Sequence, residues 1–344
     1  MEKTNFSEIF SNLYAKHGKE LEKMRKKLLI SSIIIIGLIV LTYIYFFKYF
    51  NGNNFVRMLV FICVLFIGMY IIKYNESKYE KNFKLNVINN LVEQKNYTYQ
   101  YKPLEGIKSV EYKKSKFDCD YDEFYSEDYI DGMLGEKVSF KIAQIKTINK
   151  IDYSRHVAEK RVKKFITFEG LYGEIELPVS IIGKVEITKN SKLNDDNIYK
   201  VNVSNSIFER YYDIFAEDYE WGKKYLSNEV IENLLEIREF FKTQIQIKII
   251  KNKIYFRLNC GDVFEPPKLK KALNFNLFFK YYRLIDLPRL IYSIFVDSIA
   301  ECSGNSDFAR SVKMDKLDQD EKRAFIEKEE NELKEMWFSK KIDK

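Results

Sequence analysis

The sequence contains few of the residues from which metal sites, disulfide networks and flexible linkers are built. Two His and four Cys in 344 residues exclude most multi-ligand metal sites and any disulfide framework. Thirteen Gly and five Pro argue against long flexible linkers and low-complexity tracts. Catalytic and phosphate-binding motifs are also missing, since no GxxxxGK[ST], GxGxxG, GxSxG or CxxC pattern occurs. We therefore expect no cofactor.

The composition is rich in basic and aromatic residues, and the formal net charge is +7. Interleaved Lys and Tyr would favour nucleic-acid binding in a protein of average composition. Here Tyr, Phe, Ile, Asn and Lys are all plentiful. These five residues share A/T-rich codons, so a low-GC genome produces the same pattern without selection for base stacking. We therefore expect no nucleic-acid partner.

Two apolar segments predict a membrane anchor. Residues 28–47 are twenty residues without a charge, which at about 1.5 Å per residue cover a hydrocarbon core of about 30 Å. Residues 55–72 are the second apolar segment, with Arg57 close enough to one end to reach the interface. Seven residues, 48–54, separate the two segments and contain the turn sequence NGNN. We therefore expect an antiparallel transmembrane hairpin.

The distribution of Lys and Arg predicts the orientation of this hairpin, because basic residues collect on the cytoplasmic side. The two flanking clusters are Lys16, Lys19, Lys23, Arg25, Lys26 and Lys27 before the first segment and Lys73, Lys78, Lys81 and Lys84 after the second. We expect a multi-pass protein of the cell membrane with both termini in the cytoplasm. Neither segment contains an acidic residue, a His or a Pro, so we favour a plain anchor over a channel. A homo-oligomer formed through these helices stays open.

The rest of the chain predicts an α+β fold, in which the hairpin is followed by a cytoplasmic domain with an antiparallel sheet and C-terminal helices. Alternating β-branched and aromatic residues predict strands, and apolar stripes predict helices. The predicted strands are residues 97–101, 138–151, 164–171 and 183–188, with a hairpin at 244–259. The predicted helices are residues 226–241 and 269–301, and Pro288 marks a break or the first turn of a second helix.

These patterns divide the chain into five parts. They are residues 1–27, an amphipathic and basic helix; 28–72, the hairpin; 73–96, a helical connector; 97–303, the cytoplasmic α+β domain; and 304–344, a charged C-terminal helix. The apolar stripe of the first helix consists of Phe6, Ile9, Phe10, Leu13 and Tyr14. Such a stripe beside a basic cluster is typical of a helix that lies on a membrane surface.

Several degenerate motifs carry a resemblance to a known family. Residues 122–136 read DEFYSEDYIDGMLGE, residues 165–173 read FITFEGLYG, and residues 206–226 read SIFERYYDIFAEDYEWGKKYL. In this order the motifs resemble a bacterial family described only as domain of unknown function three-one-three-seven, over most of residues 1–300. Its members typically carry a two-span hairpin and a cytoplasmic domain. The resemblance implies topology and domain limits, and it carries over no catalytic residue because the family has no established activity.

An acidic run is the first candidate for a functional site. Residues 118–131 carry seven carboxylates and no basic residue. Asp118, Asp120 and Asp122 begin like a calcium-binding loop, but the sixth position lacks the required Gly and the twelfth lacks the bidentate Glu, so the segment is not an EF-hand. A looser Mg²⁺ or Ca²⁺ site at these three residues is one alternative. A solvated acidic turn is the other, and we favour it.

His156 is the second candidate, because it is the one His in the predicted domain and could move a proton near neutral pH. Five basic residues surround it in residues 155–164, and no nucleophile pairs with it in sequence. This cluster could contact anionic lipid headgroups, but we favour an exposed loop between strands.

We therefore expect a membrane-anchored binding or scaffold protein rather than an enzyme. Its partners would be the membrane itself and either a protein or an anionic lipid of the inner leaflet. The alternative is a membrane-tethered enzyme that uses a carboxylate-bound divalent metal at the acidic run.

Overall fold

The computed structural model describes residues 2–48, 54–96, 98–117, 120–135, 137–152, 162–181, 183–189, 198–309 and 311–312. The chain divides into two compact units. The first consists of Met1–Glu174 and Arg257–Pro288, and the second consists of Ile175–Phe256 and Arg289–Lys344. The predicted site residue Asp118, the His156 cluster and most of the predicted C-terminal helix lie outside the described residues.

The first unit begins with two long helices that each contain one π-helical turn. The elements are α1 (Glu2–Leu13), a π turn (Tyr14–Gly18) and α2 (Lys19–Lys48), followed by α3 (Asn54–Phe83), a second π turn (Lys84–Ile88) and α4 (Asn89–Lys95). The predicted helical connector at residues 73–96 is thus helical almost throughout. It continues the second apolar segment into the folded part of the unit without a break.

Both long helices are apolar and long enough to cross a membrane, and this suggests membrane association. The core helix of a soluble protein would bury its apolar side chains, whereas only 6% of the most apolar window of each helix is buried here. Leu41 and Phe66 are each 64% exposed. Exposing so much apolar surface to water is unfavourable, so these helices need lipid or protein around them.

The two apolar helices pack against each other, as expected of a hairpin. The rings of Tyr43 and Phe61 meet edge to face with their centroids 5.5 Å apart. A Cβ atom at Gly68 would lie 2.9 Å from the side chain of Ile39. Gly68 therefore permits α3 to approach α2 closely.

The remaining elements of the first unit form an antiparallel sheet and a short helix. They are β1 (Gln100–Lys102), α5 (Ser109–Lys114), β2 (Glu123–Leu134), β3 (Val138–Asp152) and β4 (Val162–Glu176), whose last two residues belong to the second unit. The strands lie in the order β1-β2-β3-β4. Phe140, Ile142 and Ile145 of β3 are among the buried residues of its core.

The second unit combines strands and helices in the same way. Its elements are β5 (Lys184–Thr188), β6 (Tyr199–Val201), α6 (Ser206–Tyr211), β7 (Asp213–Ala216), α7 (Tyr219–Lys224), α8 (Asn228–Phe241), β8 (Ile245–Ile250) and β9 (Lys253–Leu258), whose last two residues belong to the first unit. The strands lie in the order β9-β8-β5-β7-β6, and the β5 pairs with β7 and β8 are antiparallel. The predicted hairpin forms as β8 and β9, with Lys251 in the left-handed conformation at the turn. The prediction of an α+β fold with an antiparallel sheet is confirmed.

The long helix α9 (Phe275–Cys302) contains Pro288 in its interior. The predicted break at this residue is wrong, because the helix continues through it. Leu287 and Ile291 on either side are completely buried. We attribute the continuity to this burial, which outweighs the backbone hydrogen bond that proline removes.

The interpretation of the first helix as a membrane-surface helix is wrong for its apolar stripe. Phe6 is completely buried, and its ring centroid lies 5.2 Å from those of Phe275 and Phe279 and 4.8 Å from that of Tyr282. The apolar face of α1 therefore packs against the first half of α9. Side chains of α9 cover Phe6, and aromatic pairs at these distances stabilise the contact.

Candidate functional site

Lys84 is a buried lysine at the point where the second long helix enters the folded unit. The π turn begins at this residue, and a π turn shifts which side chains share a face of the helix. Phe83, Val87 and Ile88 are completely buried, and Lys84 lies among them with 3% of its surface exposed. The amino group of Lys84 therefore points into the unit rather than into solvent.

Strand β2 directs acidic residues toward this amino group because its pairing with β3 is irregular at that point. The register between β2 and β3 shifts between Glu127 and Ile130, and Asp128 has a φ of 56° in the left-handed region. The backbone N–H of Asp128 donates to the carbonyl oxygen of Pro103 over 3.2 Å. Bulges of this kind re-aim a side chain, and Asp128 is completely buried as a result.

Four carboxylates surround the Lys84 amino group. Its Nζ atom lies 2.8 Å from Oε1 of Glu265 and 2.9 Å from Oδ2 of Asp128. It lies 3.3 Å from Oε1 of Glu80 and 3.5 Å from Oε2 of Glu127. We call these five residues, together with Tyr101, the Lys84 cluster.

Tyr101 completes the cluster by donating a hydrogen bond from its hydroxyl group to Oδ1 of Asp128. Both oxygens of the buried Asp128 carboxylate are thus bound, one by an ammonium and one by a phenol. A buried charge is tolerated only when it is paired and hydrogen-bonded in this way.

The electrostatics of the cluster keep Lys84 protonated. Burial by itself lowers the pKa of Lys84, but the carboxylates of Asp128 and Glu265 outweigh burial and raise this pKa above its ordinary value. A permanently protonated amine has no lone pair, so Lys84 is unsuited to act as a base or to form a Schiff base.

The carboxyl groups of the cluster are shifted toward neutral pH. Burial raises the pKa of Asp128 to about 6, although Lys84 and the Tyr101 hydroxyl oppose the shift. Burial also raises the pKa of Glu265 to about 7, with further contributions from the charges of Glu80 and Asp128. Several carboxylates share one ammonium here, so the cluster takes up a proton more readily than isolated carboxyl groups would.

Three carboxylates of the cluster are close enough to hold a metal ion. Ligand oxygens of Glu127, Asp128 and Glu265 lie within 4.8 Å of one another. The Lys84 amino group, however, lies within 3.5 Å of each of the three side chains. Lys84 therefore already supplies the positive charge that a divalent cation would bring.

Two further basic side chains attach the long helices to the same unit. The Nζ atom of Lys95 lies 3.2 Å from Oδ1 of Asp286 and 3.4 Å above the ring of Tyr282. Arg25 binds Glu22 over 2.7 Å and donates to the carbonyl oxygen of Leu269. Arg25 thus attaches α2 to the segment that contains Leu269, and Lys95 attaches α4 to Asp286 of α9.

The structure separates the predicted metal ligands from the cluster. Asp120 is exposed, and the exposed Asp122 accepts a hydrogen bond from the backbone N–H of Lys150. Among the described residues, the acidic group that could hold a metal ion includes neither of them. With Asp118 outside the described residues, the site at Asp118, Asp120 and Asp122 stays a prediction.

The preferred interpretation of the acidic run as a solvated turn is wrong, because its second half is strand β2 and contains the buried Asp128. The sequence does contain a signal for the cluster. Lys84 lies four residues before Ile88 and next to Phe83, on the apolar stripe of the connector. A lysine on an apolar helix face needs a buried anion, and the neighbouring acidic run was available to supply one.

Removing the Lys84 charge should destabilise the protein strongly. We expect Lys84→Met to lower the free energy of unfolding by about 3–5 kcal/mol, because it leaves the buried Asp128 carboxylate without a counter-ion. In Lys84→Met combined with Asp128→Asn, the loss should be smaller than the sum of the single losses. Denaturant unfolding of the full chain in mild detergent, followed by circular dichroism, measures these values.

The matched control is Lys81→Met, which removes an exposed lysine one turn earlier on the same helix and should cost less than about 0.5 kcal/mol. Equal effects at positions 81 and 84, or strictly additive losses in the double variant, would contradict the role given to Lys84.

The raised pKa of Glu265 predicts a pH dependence of stability. Its pKa is about 7 in the folded protein against an ordinary value of 4.5, so between these values the folded state binds more protons than the unfolded state. The free energy of unfolding of the wild type should therefore fall, relative to that of Glu265→Gln, as the pH rises from about 4.5 to about 7. A difference that is flat across this range would show that Glu265 titrates normally. The measurement is the same denaturant unfolding, repeated at several pH values.

Comparisons with known proteins give a family match for part of the chain. No curated protein matches the chain. Among solved structures, the chain is similar to the crystal structure of the mycobacterial trehalose monomycolate transport factor A, TtfA. The identity is 8%, the match covers 59% of this chain and 95% of that one, and the TM-score is 0.32. Residues 166–295 match the model of the family described as "Protein of unknown function (DUF3137)", so the family that the motifs predicted is confirmed for this part of the chain.

Proposed function

We propose that this protein is a membrane-anchored binding protein whose folded part lies in the cytoplasm against the inner leaflet. It holds a protein or an anionic lipid close to the membrane. The observation that carries the proposal is the continuous helical path from the exposed apolar part of α3 to the buried Lys84 cluster. An anchor that enters the core of the domain fixes the distance between that domain and the bilayer.

The charges around the hairpin support the proposed orientation. The lysines that flank the apolar segments lie at the ends that join the folded part, where the positive-inside rule places the cytoplasm. On this proposal residues 28–72 are the anchor, residues 97–303 are the cytoplasmic domain, and both termini are cytoplasmic.

The chemistry of the Lys84 cluster supports binding rather than catalysis. Its amine is held protonated, and the carboxylates around it are bound to that amine. Such a cluster holds elements together, whereas a catalytic acid or base must face a substrate with a free proton site.

Cysteine accessibility tests the orientation. In a cysteine-free background, we expect Asn54→Cys at the hairpin end to react with a membrane-impermeant maleimide in intact cells. Lys78→Cys, on the exposed surface of α3 beyond the apolar segment, should react only after lysis. Labelling of Lys78→Cys in intact cells, or release of the protein from membranes by alkaline carbonate, would overturn the proposal.

The second candidate is a membrane-tethered enzyme that uses a divalent metal. The grouping of Glu127, Asp128 and Glu265 favours it, as does the acidic run at Asp120. This candidate predicts that Mg²⁺ or Mn²⁺ raises the midpoint of thermal unfolding. Glu265→Gln should abolish the rise if the ion binds at the cluster, and Asp120→Asn should abolish it if the ion binds at the acidic run. Binding without metal predicts no rise in the wild type, so one thermal scan with and without each ion separates the two functions.

A further inference from the structure

We infer that a groove at the base of α2 is a binding site for an anionic phospholipid of the inner leaflet. The inference rests on the proposed orientation and identifies the ligand of the proposed binding function. The groove has a volume of about 1010 Å³. Its lining consists of Tyr14, Lys19, Glu22, Lys23, Arg25, Lys26, Lys27, Ile30, Ser31, Ile34 and Ala272.

The lining residues of α2 follow the helical repeat, so they form one continuous stripe. Lys19, Lys23, Lys26 and Lys27 lie on the first turns of this stripe, and Ile30 and Ile34 lie on the next turns. The stripe therefore changes from basic to apolar along the helix axis. A phospholipid has the same sequence of chemistries, with a phosphate followed by an acyl chain.

The charges of the groove are available to a ligand. Lys19, Lys23 and Lys27 form no ion pair with any residue that the structure describes. The one carboxylate in the lining, Glu22, is already bound to Arg25 and accepts the backbone N–H of Leu273 over 2.6 Å. The groove thus has an excess of positive charge that complements an anionic headgroup.

The position of the groove matches the headgroup layer of the bilayer. Residues 19–34 span about 22 Å along the helix and cross the start of the predicted membrane segment at Leu28. Ile30 and Ile34 are 58% and 56% exposed. An acyl chain would cover these side chains, whereas a small soluble anion would leave them bare, and this difference favours a lipid over free phosphate.

The walls of the groove are built before any ligand binds. The bonds from Arg25 to Leu269 and from Leu273 to Glu22 fix the segment that carries Ala272 beside α2. On the other side, the ring of Tyr14 packs over Gly18, where a Cβ atom would lie 2.5 Å from it. Pre-organisation of this kind lowers the entropy cost of binding.

The test uses the full chain in nanodiscs that contain phosphatidylglycerol and phosphatidylcholine in a 1:4 ratio (about 20% anionic lipid, a composition that gives a negative surface). Electron paramagnetic resonance of spin-labelled lipids measures the preference for phosphatidylglycerol at the protein surface. In the triple variant Lys19→Gln, Lys23→Gln, Lys27→Gln, we expect the preference for phosphatidylglycerol to fall at least about fivefold. The reason is that the headgroup loses its charge-assisted contacts with the three ammonium groups.

The matched control is Lys73→Gln, Lys78→Gln, Lys81→Gln, which removes three exposed lysines at the same membrane surface from the other helix. This control should keep the preference. Equal losses in the two triple variants would show that the preference for phosphatidylglycerol depends on general surface charge, and this would overturn the inference. No loss in either variant would also overturn it.

A second variant separates shape from charge. Ser31→Trp leaves every lysine in place and fills the groove, so it should also abolish the preference, and a full preference in this variant would contradict the site.

Added glycerol phosphate should not displace the labelled lipid, and displacement would identify a small-anion site instead. Nanodiscs expose both faces of the bilayer, so this result is independent of the maleimide test of orientation.

Discussion

The structure depends on the burial of one ammonium group between a helix and a strand. An ammonium removed from water is strongly destabilising unless anions replace its hydration shell. Glu265 and Asp128 provide the closest of these anions to Lys84, and Tyr101 binds the other side of Asp128. Because the partners come from β2, from the helix itself and from the segment before α9, the ammonium allows one arrangement of these elements. The direction in which α3 leaves the folded unit follows from that arrangement.

Basic residues near the two long helices therefore have two different roles. Lys84 and Lys95 are bound to acidic side chains of other elements, and Arg25 donates to the carbonyl oxygen of Leu269, so all three hold the helices to the unit. Lys19 and Lys23 line an open groove instead. Burial decides between the roles, since a paired and buried cation is a structural contact, whereas an unpaired one at the membrane surface attracts anions. Counting positive charges along the chain, as orientation rules do, treats the two classes alike.

Much of the local structure could be predicted from residue patterns. The apolar segments, the hairpin of β8 and β9, and helix α8 all follow from periodicity and turn chemistry. Ser227 caps α8, since its hydroxyl accepts a hydrogen bond from the N–H of Val230. The acidic run shows where patterns fail. Its density of carboxylates suggested a solvated turn, but a bulge turns Asp128 inward and the strand continues.

Local sequence patterns were enough to predict the family match, the candidate membrane helices and the α+β composition. The reason is that hydrophobic periodicity and turn propensity depend on residues only a few positions apart. The Lys84 cluster could not be predicted in this way, since Asp128 lies 44 residues from Lys84 along the chain and Glu265 lies much farther. The same holds for the stripe of α1, which packs on α9 at the other end of the sequence. Pairing energies depend on distance in space, and that distance is set only when the whole chain has folded.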